Sequence, residues 1–147
     1  MHDSRVWIFF YGTFMNAAVL TSHGLQPAAV IAARISGYEL QIKGRANLAR
    51  VDRGVVYGSI ARLTHEEIDT LYQGLKEQYG IIYLPHPVLA ETQDGALRPA
   101  LCYIASDLED GVPDVEYIGQ MIEAAKAVEA PEWYVELIKS FAAENRR

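Results

Sequence analysis

The 147-residue chain carries a single cysteine, Cys102. That excludes an intrachain disulfide framework and any CxxC zinc site. Its four histidines, His2, His23, His65 and His86, are scattered without an i, i+4 pair, so no metal-ligand spacing is present. No apolar run approaches the roughly 18–20 residues that span a bilayer. No basic segment leading into a long apolar stretch opens the chain, so no secretory leader is expected. Basic residues are the minority: 13 Lys and Arg against 19 Asp and Glu give a net charge of −6. With a pI near 5.2 and no basic stripe, nucleic-acid binding is not expected, because it rests on neutralising phosphates. Repeats, low-complexity segments and linkers are also missing. The expectation is a cytoplasmic protein, away from membranes, with one domain over residues 1–147. A chain of about 150 residues buries roughly 70% of its unfolded surface, enough for a core without staples.

What is present begins with Arg5 to Tyr11, a β-branched and aromatic run that reads as a strand buried on both faces. It stops at Gly12-Thr13. A short apolar-spaced stretch, Phe14, Ala17, Ala18 and Leu20, suggests one helical segment, and Pro27 breaks the pattern. Tyr38 to Ile42 and Arg45 to Arg50 read as short strands, and Asp52-Arg53-Gly54 as a turn into a further strand, Val55 to Leu63. Thr64-His65-Glu66-Glu67 is a capping box, in which the Thr hydroxyl and the Glu67 carboxylate satisfy reciprocal amides. Ile68, Leu71, Tyr72, Leu75 and Tyr79 then share a helical face, with Gly74 a candidate stop. Glu66, Glu67 and Asp69 form a solvated face at the helix's positive end.

Ile81 to Glu91 reads as a strand. Pro85 and Pro87 lie two apart, so their missing N–H groups point to one side, which places the strand at a sheet edge or barrel rim. His86 between them is a rim residue. Asp94-Gly95 turns the chain into Arg98 to Ala105, where Cys102 reads as a buried thiol; Tyr103 has the opposite parity, so at most one of the two faces the barrel interior. Two helices follow, opening at Pro113-Asp114 and at Pro131, where proline's absent N–H costs nothing. This order suggests an α+β domain with a mainly antiparallel or mixed sheet.

The end of the first strand carries the chemistry. A strand running into Gly12 and Thr13 leaves backbone amides unpaired, a place for a carboxylate or a developing oxyanion. An ordinary turn with Thr13 as N-cap accounts for the same residues.

Tyr11-Gly12-Thr13-Phe14-Met15 resembles the Tyr-Gly-Thr-Leu-Met signature of the γ-glutamylcyclotransferase-like (AIG2-like) family. Ile35-Ser36-Gly37-Tyr38-Glu39-Leu40 is similar to its Leu-x-Gly-Tyr-x-Leu strand, and Val55-Val56-Tyr57-Gly58 to its Val-x-Gly strand. Leu63-Thr64-x-Glu66-Glu67-x-Asp69-x-Leu71 resembles its capped helix, and the tail from Tyr117 to Val135 its C-terminal end. The resemblance implies a compact mixed or antiparallel barrel-like sheet flanked by helices, with a small anion pocket at the first strand's end. It also implies an enzyme that cyclises a γ-glutamyl amine or peptide to 5-oxoproline, with no metal or organic cofactor. In that chemistry a glutamate takes a proton from the attacking ammonium and passes it to the leaving nitrogen, while proximity within one molecule supplies much of the rate.

By the family's spacing, Glu77 would be that acid/base and Tyr83 the tyrosine six residues on. Tyr11, Gly12, Thr13 and Phe14 would hold the carboxylate-bearing small molecule or the oxyanion, and Tyr103 would line the pocket. The sequence departs from the pattern here. Where the family reads Leu-Asp-x-x-Glu-Gly, this chain has Gln73-Gly74-Leu75-Lys76-Glu77-Gln78, and Tyr83-Leu84-Pro85 stands for Tyr-x-Arg. If the helix stops at Gly74, Glu77 lies in a loop and can turn inward. If it continues, Glu77 lies about 180° from Ile68 and faces solvent. Three readings stay open: a cyclotransferase, a non-catalytic carboxylate-binding module on the same fold, and a metal-free hydrolase or amidotransferase.

Overall fold

The computed structural model describes residues 5–27, 29–106, 108 and 111–144; His2 lies outside them. The aromatic run forms β1 (Arg5–Phe10). Its consecutive residues Ile8, Phe9 and Phe10 are all buried, so both faces are covered, as a continuous apolar run requires. A single 3-10 turn (Thr13–Met15) and the short α1 (Ala17–Ser22) follow. The N-cap of α1 is Asn16, whose side chain accepts from the Ala18 amide at 3.1 Å. Thr13 is thus not a cap; it is the first residue of the 3-10 turn.

Two long strands come next, β2 (Val30–Lys43) and β3 (Arg45–Thr64), joined tightly at Gly44, which has φ +82°. This corrects the expectation of several short strands with a turn at Asp52-Arg53-Gly54. Ser36 pairs with Val55 and Tyr38 with Arg50, so the single residue Gly37 faces residues 51–54 in a bulge. The turn-type composition therefore marks a bulge within one strand. Gly54 is small for a different reason: a Cβ there would lie 2.0 Å from the Tyr38 carbonyl oxygen.

The capping box forms as expected at α2 (His65–Tyr79), with the Thr64 hydroxyl accepting from Glu67 N–H at 3.1 Å and the Glu67 carboxylate accepting from Thr64 N–H at 2.8 Å. The stop at Gly74 does not occur. The helix runs on to Tyr79 and ends at Gly80, in the left-handed conformation with its N–H on Lys76 C=O. Glycine inside a helix costs only about 1 kcal/mol relative to alanine, so it does not by itself end one.

The hairpin β4 (Tyr83–Thr92) and β5 (Leu97–Ala105) pairs along its length. On its other side β4 meets β2 only at Ala33↔Thr92 and Arg34↔Glu91, so Pro85 and Pro87 face no ladder there. β1 pairs antiparallel with β3 and in parallel with β5 at Ile8↔Leu101 and Phe9↔Cys102. The mixed sheet thus closes in the order β1-β3-β2-β4-β5, through two short seams. Helices α3 (Val115–Ala127) and α4 (Glu132–Glu144) pack together against it. Tyr134, fully buried, meets Tyr57 of β3 edge-on at 5.1 Å. The architecture is α+β, a barrel-like sheet flanked by helices. No described helix is long and apolar enough to cross a membrane.

Candidate functional site

The 3-10 turn takes the chain off the sheet at the end of β1. It closes with Met15 N–H on Gly12 C=O at 3.0 Å, and Ser59 Oγ of β3 donates to Met15 C=O at 2.9 Å from a buried position. Leading amides of such a turn have no internal acceptor. Those of Gly12, Thr13 and Phe14 donate to no acceptor among the described residues.

A pocket of about 380 Å³, open mouth included, lies beside these amides. Its walls come from every part of the fold: Phe10 to Phe14 after β1, Arg45 and Ala46 at the start of β3, Tyr72 and Leu75 of α2, Tyr83 of β4, Tyr103 of β5 and Tyr117 of α3. Tyr11, Gly12, Thr13, Phe14, Tyr83 and Tyr103, anticipated from sequence, are brought together here. Glu77 is not. It is exposed on the far side of α2, where its carboxylate accepts from Gln73 Nε2 at 3.3 Å, one turn back. The helix that continues past Gly74 carries Glu77 away from the pocket.

Sequence reasoning missed Arg45, Tyr72, Leu75 and Tyr117 as pocket residues. A signal existed for two of them: Tyr72 and Leu75 lie one turn apart on the apolar face of α2. Leu75 is among the residues that line the cavity, and Glu77 is not. Arg45 had no local signal; the Gly44 turn brings it in.

Several tyrosine hydroxyls hold the walls in place. Tyr11 Oη donates to Tyr103 C=O at 2.7 Å and Tyr83 Oη donates to Ala46 C=O at 3.1 Å. Ala46 N–H donates to Tyr117 Oη at 3.0 Å. These hydroxyls bond backbone groups of β3 and β5 around the pocket, as buried polar groups require. Asn47 does the same next door: its Nδ2 donates to Ala105 C=O at 2.9 Å and its Oδ1 accepts from Ala105 N–H at 3.0 Å. Tyr72 stacks on Tyr103 with centroids 4.1 Å apart.

Burial raises the phenol pKa of Tyr11, Tyr72, Tyr83 and Tyr117 above the ordinary value; for Tyr83 and Tyr117 the nearby Arg45 charge pulls the other way without winning. These phenols stay protonated at neutral pH. Cys102 is fully buried, and burial pushes its thiol up as well, which leaves it inert as a nucleophile. Among the described residues, the formal charge on the pocket wall is the Arg45 guanidinium. No group of three or more His, Cys, Asp or Glu side chains suited to a metal occurs among the described residues.

No family model matches the sequence, and no curated protein matches it. Solved structures do match. A structure described as γ-glutamyl cyclotransferase superposes with a TM-score of 0.75 at 17% identity, over 92% of this chain and 87% of its own. The chain has the γ-glutamyl cyclotransferase fold. An uncharacterised human protein, loc79017, has the same TM-score at 16% identity, over 94% and 88% of the two chains. A yeast γ-glutamyl cyclotransferase specific to glutathione matches with a TM-score of 0.68 at 13% identity, over 99% and 98%. On this γ-glutamyl cyclotransferase fold, the pocket lies where β1 ends and the sheet meets α2 and α3.

Proposed function

We propose that the protein is a binding module for a small carboxylate-bearing molecule of the γ-glutamyl type, using the γ-glutamyl cyclotransferase fold without its chemistry. One observation carries this reading: among the described residues no carboxylate or imidazole lines the pocket, and the positions of α2 that reach it are Tyr72 and Leu75. Cyclisation needs a group that takes a proton from the attacking ammonium within hydrogen-bond reach. The protonated phenols do not accept one at neutral pH, and Arg45 has none to accept with. Binding requires less. The free amides of Gly12, Thr13 and Phe14 suit a carboxylate, and the aromatic walls suit the apolar stem of a small metabolite.

A second reading has specific support in the fold itself, which solved γ-glutamyl cyclotransferases share. It is the cyclotransferase with Glu77 as acid/base, and it requires the last turn of α2 to open and turn Glu77 inward.

A panel of γ-glutamyl amines and dipeptides separates the two readings, with wild type and Glu77→Gln assayed side by side for binding and for 5-oxoproline release. The binding module gives saturable binding, no release above background and no effect of the substitution. Release by the wild type that drops about 100-fold or more in Glu77→Gln, the low end for a general base, establishes the cyclotransferase instead.

A further inference from the structure

Arg45 is the one pocket residue that the binding reading leaves without a task. Its guanidinium lies between two rings, 4.2 Å from the Tyr79 centroid and 4.3 Å from the Tyr117 centroid. Two aromatic rings thus pack against the guanidinium, whose N–H groups remain to meet a ligand. No carboxylate among the described residues pairs with it. A guanidinium stacked in this way is held in place by cation–π attraction, and its edge presents a planar fork that matches a carboxylate.

Arg45 and the amides reach the pocket from different elements. Arg45 opens β3 and contacts Tyr79, an exposed residue in the last turn of α2. The amides of Gly12 to Phe14 instead follow the buried end of β1 at Tyr11. The pocket therefore offers neutral donors from the turn after β1 and a cation from the start of β3.

We infer that Arg45 determines specificity, requiring a ligand with two separated anionic groups: one carboxylate on the turn amides and a second on the Arg45 edge. This inference rests on the proposed binding function and assigns the ligand's second charge. A monocarboxylate would leave the guanidinium with no anion in a partly desolvated site.

Two matched pairs of different length test it by calorimetric titration: glutamate against glutamine, and γ-glutamylglycine against γ-glutamylglycinamide. Within a pair, shape is kept and only the distal charge is lost. Wild type is expected to prefer the diacid of at least one pair by roughly ten- to a hundredfold, the range for a lost charged hydrogen bond. Arg45→Gln should bring the two members within about threefold by weakening the diacid alone. Arg45→Lys, which keeps the charge without the fork, should fall between. Because both variants replace a partly exposed side chain, a thermal melt checks that they fold. Equal affinity for both members of both pairs in the wild type, or a preference that survives Arg45→Gln, overturns the Arg45 assignment and leaves carboxylate binding standing. No binding of any of the four compounds overturns both.

Discussion

Two arginines on neighbouring strands do different work. Arg34 sits on the outer face at the short β2–β4 seam, half exposed, with Glu91 at 2.7 Å. Its charge is matched by a carboxylate directly across the strands, where Arg34 pairs with Glu91 in register, and that contact raises its own pKa further. Arg45 sits in the pocket against two aromatic rings, with no ion pair among the described residues. An arginine with its partner in place closes a seam. One that is held rigid and has no partner presents its charge to something else. The same contrast applies to polar groups generally. At the seam they meet each other in water, and around the pocket they are buried and tied to backbone.

The largest expected effect tests that second half. Asn47→Ala removes the clamp on Ala105 and leaves a buried N–H and C=O unpaired, which should cost about 2–4 kcal/mol by denaturant titration. A loss under about 1 kcal/mol would mean that water replaces the clamp and that the pocket end is as wet as the seam.

Alkaline pH should give a loss of the same order, because several groups titrate together. Burial holds the pKa of Tyr11, Tyr72, Tyr83 and Tyr117 above the ordinary value in the folded state. The unfolded chain therefore loses its phenol protons first. Stability from these groups is complete below about pH 10 and declines above it, by roughly 1.4 kcal/mol per pH unit for each affected phenol. Thermal melts from pH 7 to 11 check this, and a flat profile through pH 11 would contradict the buried, protonated wall.

Gly12→Ala separates fold from pocket. The residue has an ordinary φ of −97°. The added methyl would lie 3.7 Å from Ala46 Cβ and 3.9 Å from Tyr117 Oη, normal contact distances. Stability should change by less than about 1 kcal/mol. Ligand affinity should fall about tenfold or more, because the methyl occupies space between the amides and the wall. Unchanged affinity would move the ligand away from the turn.

The smallest effect belongs to the seam. Arg34→Gln should barely move the denaturant midpoint, because exposed ion pairs contribute little, and leave ligand binding untouched. If it matters more than Arg45→Gln does for binding, the contrast between the two arginines fails.

Much of the architecture was legible locally. The capping box at Thr64–Glu67, the prolines of β4 and the helix starts at Asp114 and Pro131 each follow from chemistry within a few residues, so sequence reads them directly. Turn-forming residues were misread twice, at Gly74 and at Asp52-Arg53-Gly54. In both cases a local preference worth about 1 kcal/mol was overridden by contacts formed only after folding: a helix packed on the sheet, and a strand paired on both sides of its bulge. The site divides in the same way. Tyr11 to Phe14 could be read because a strand leading into glycine and a turn leaves its amides free wherever it occurs. The direction of Glu77 depended on where a helix ended, a matter of a few residues and half a turn.

By itself, then, the sequence determined the strand-to-turn junction that leaves three amides unpaired and the helix that frames it. Only the tertiary structure decided which side chains face that junction. Leu75 rather than Glu77 meets the cavity because α2 continues past Gly74. Arg45 meets it because the Gly44 hairpin, α2 and α3 converge from distant parts of the chain, and no local interaction encodes that approach.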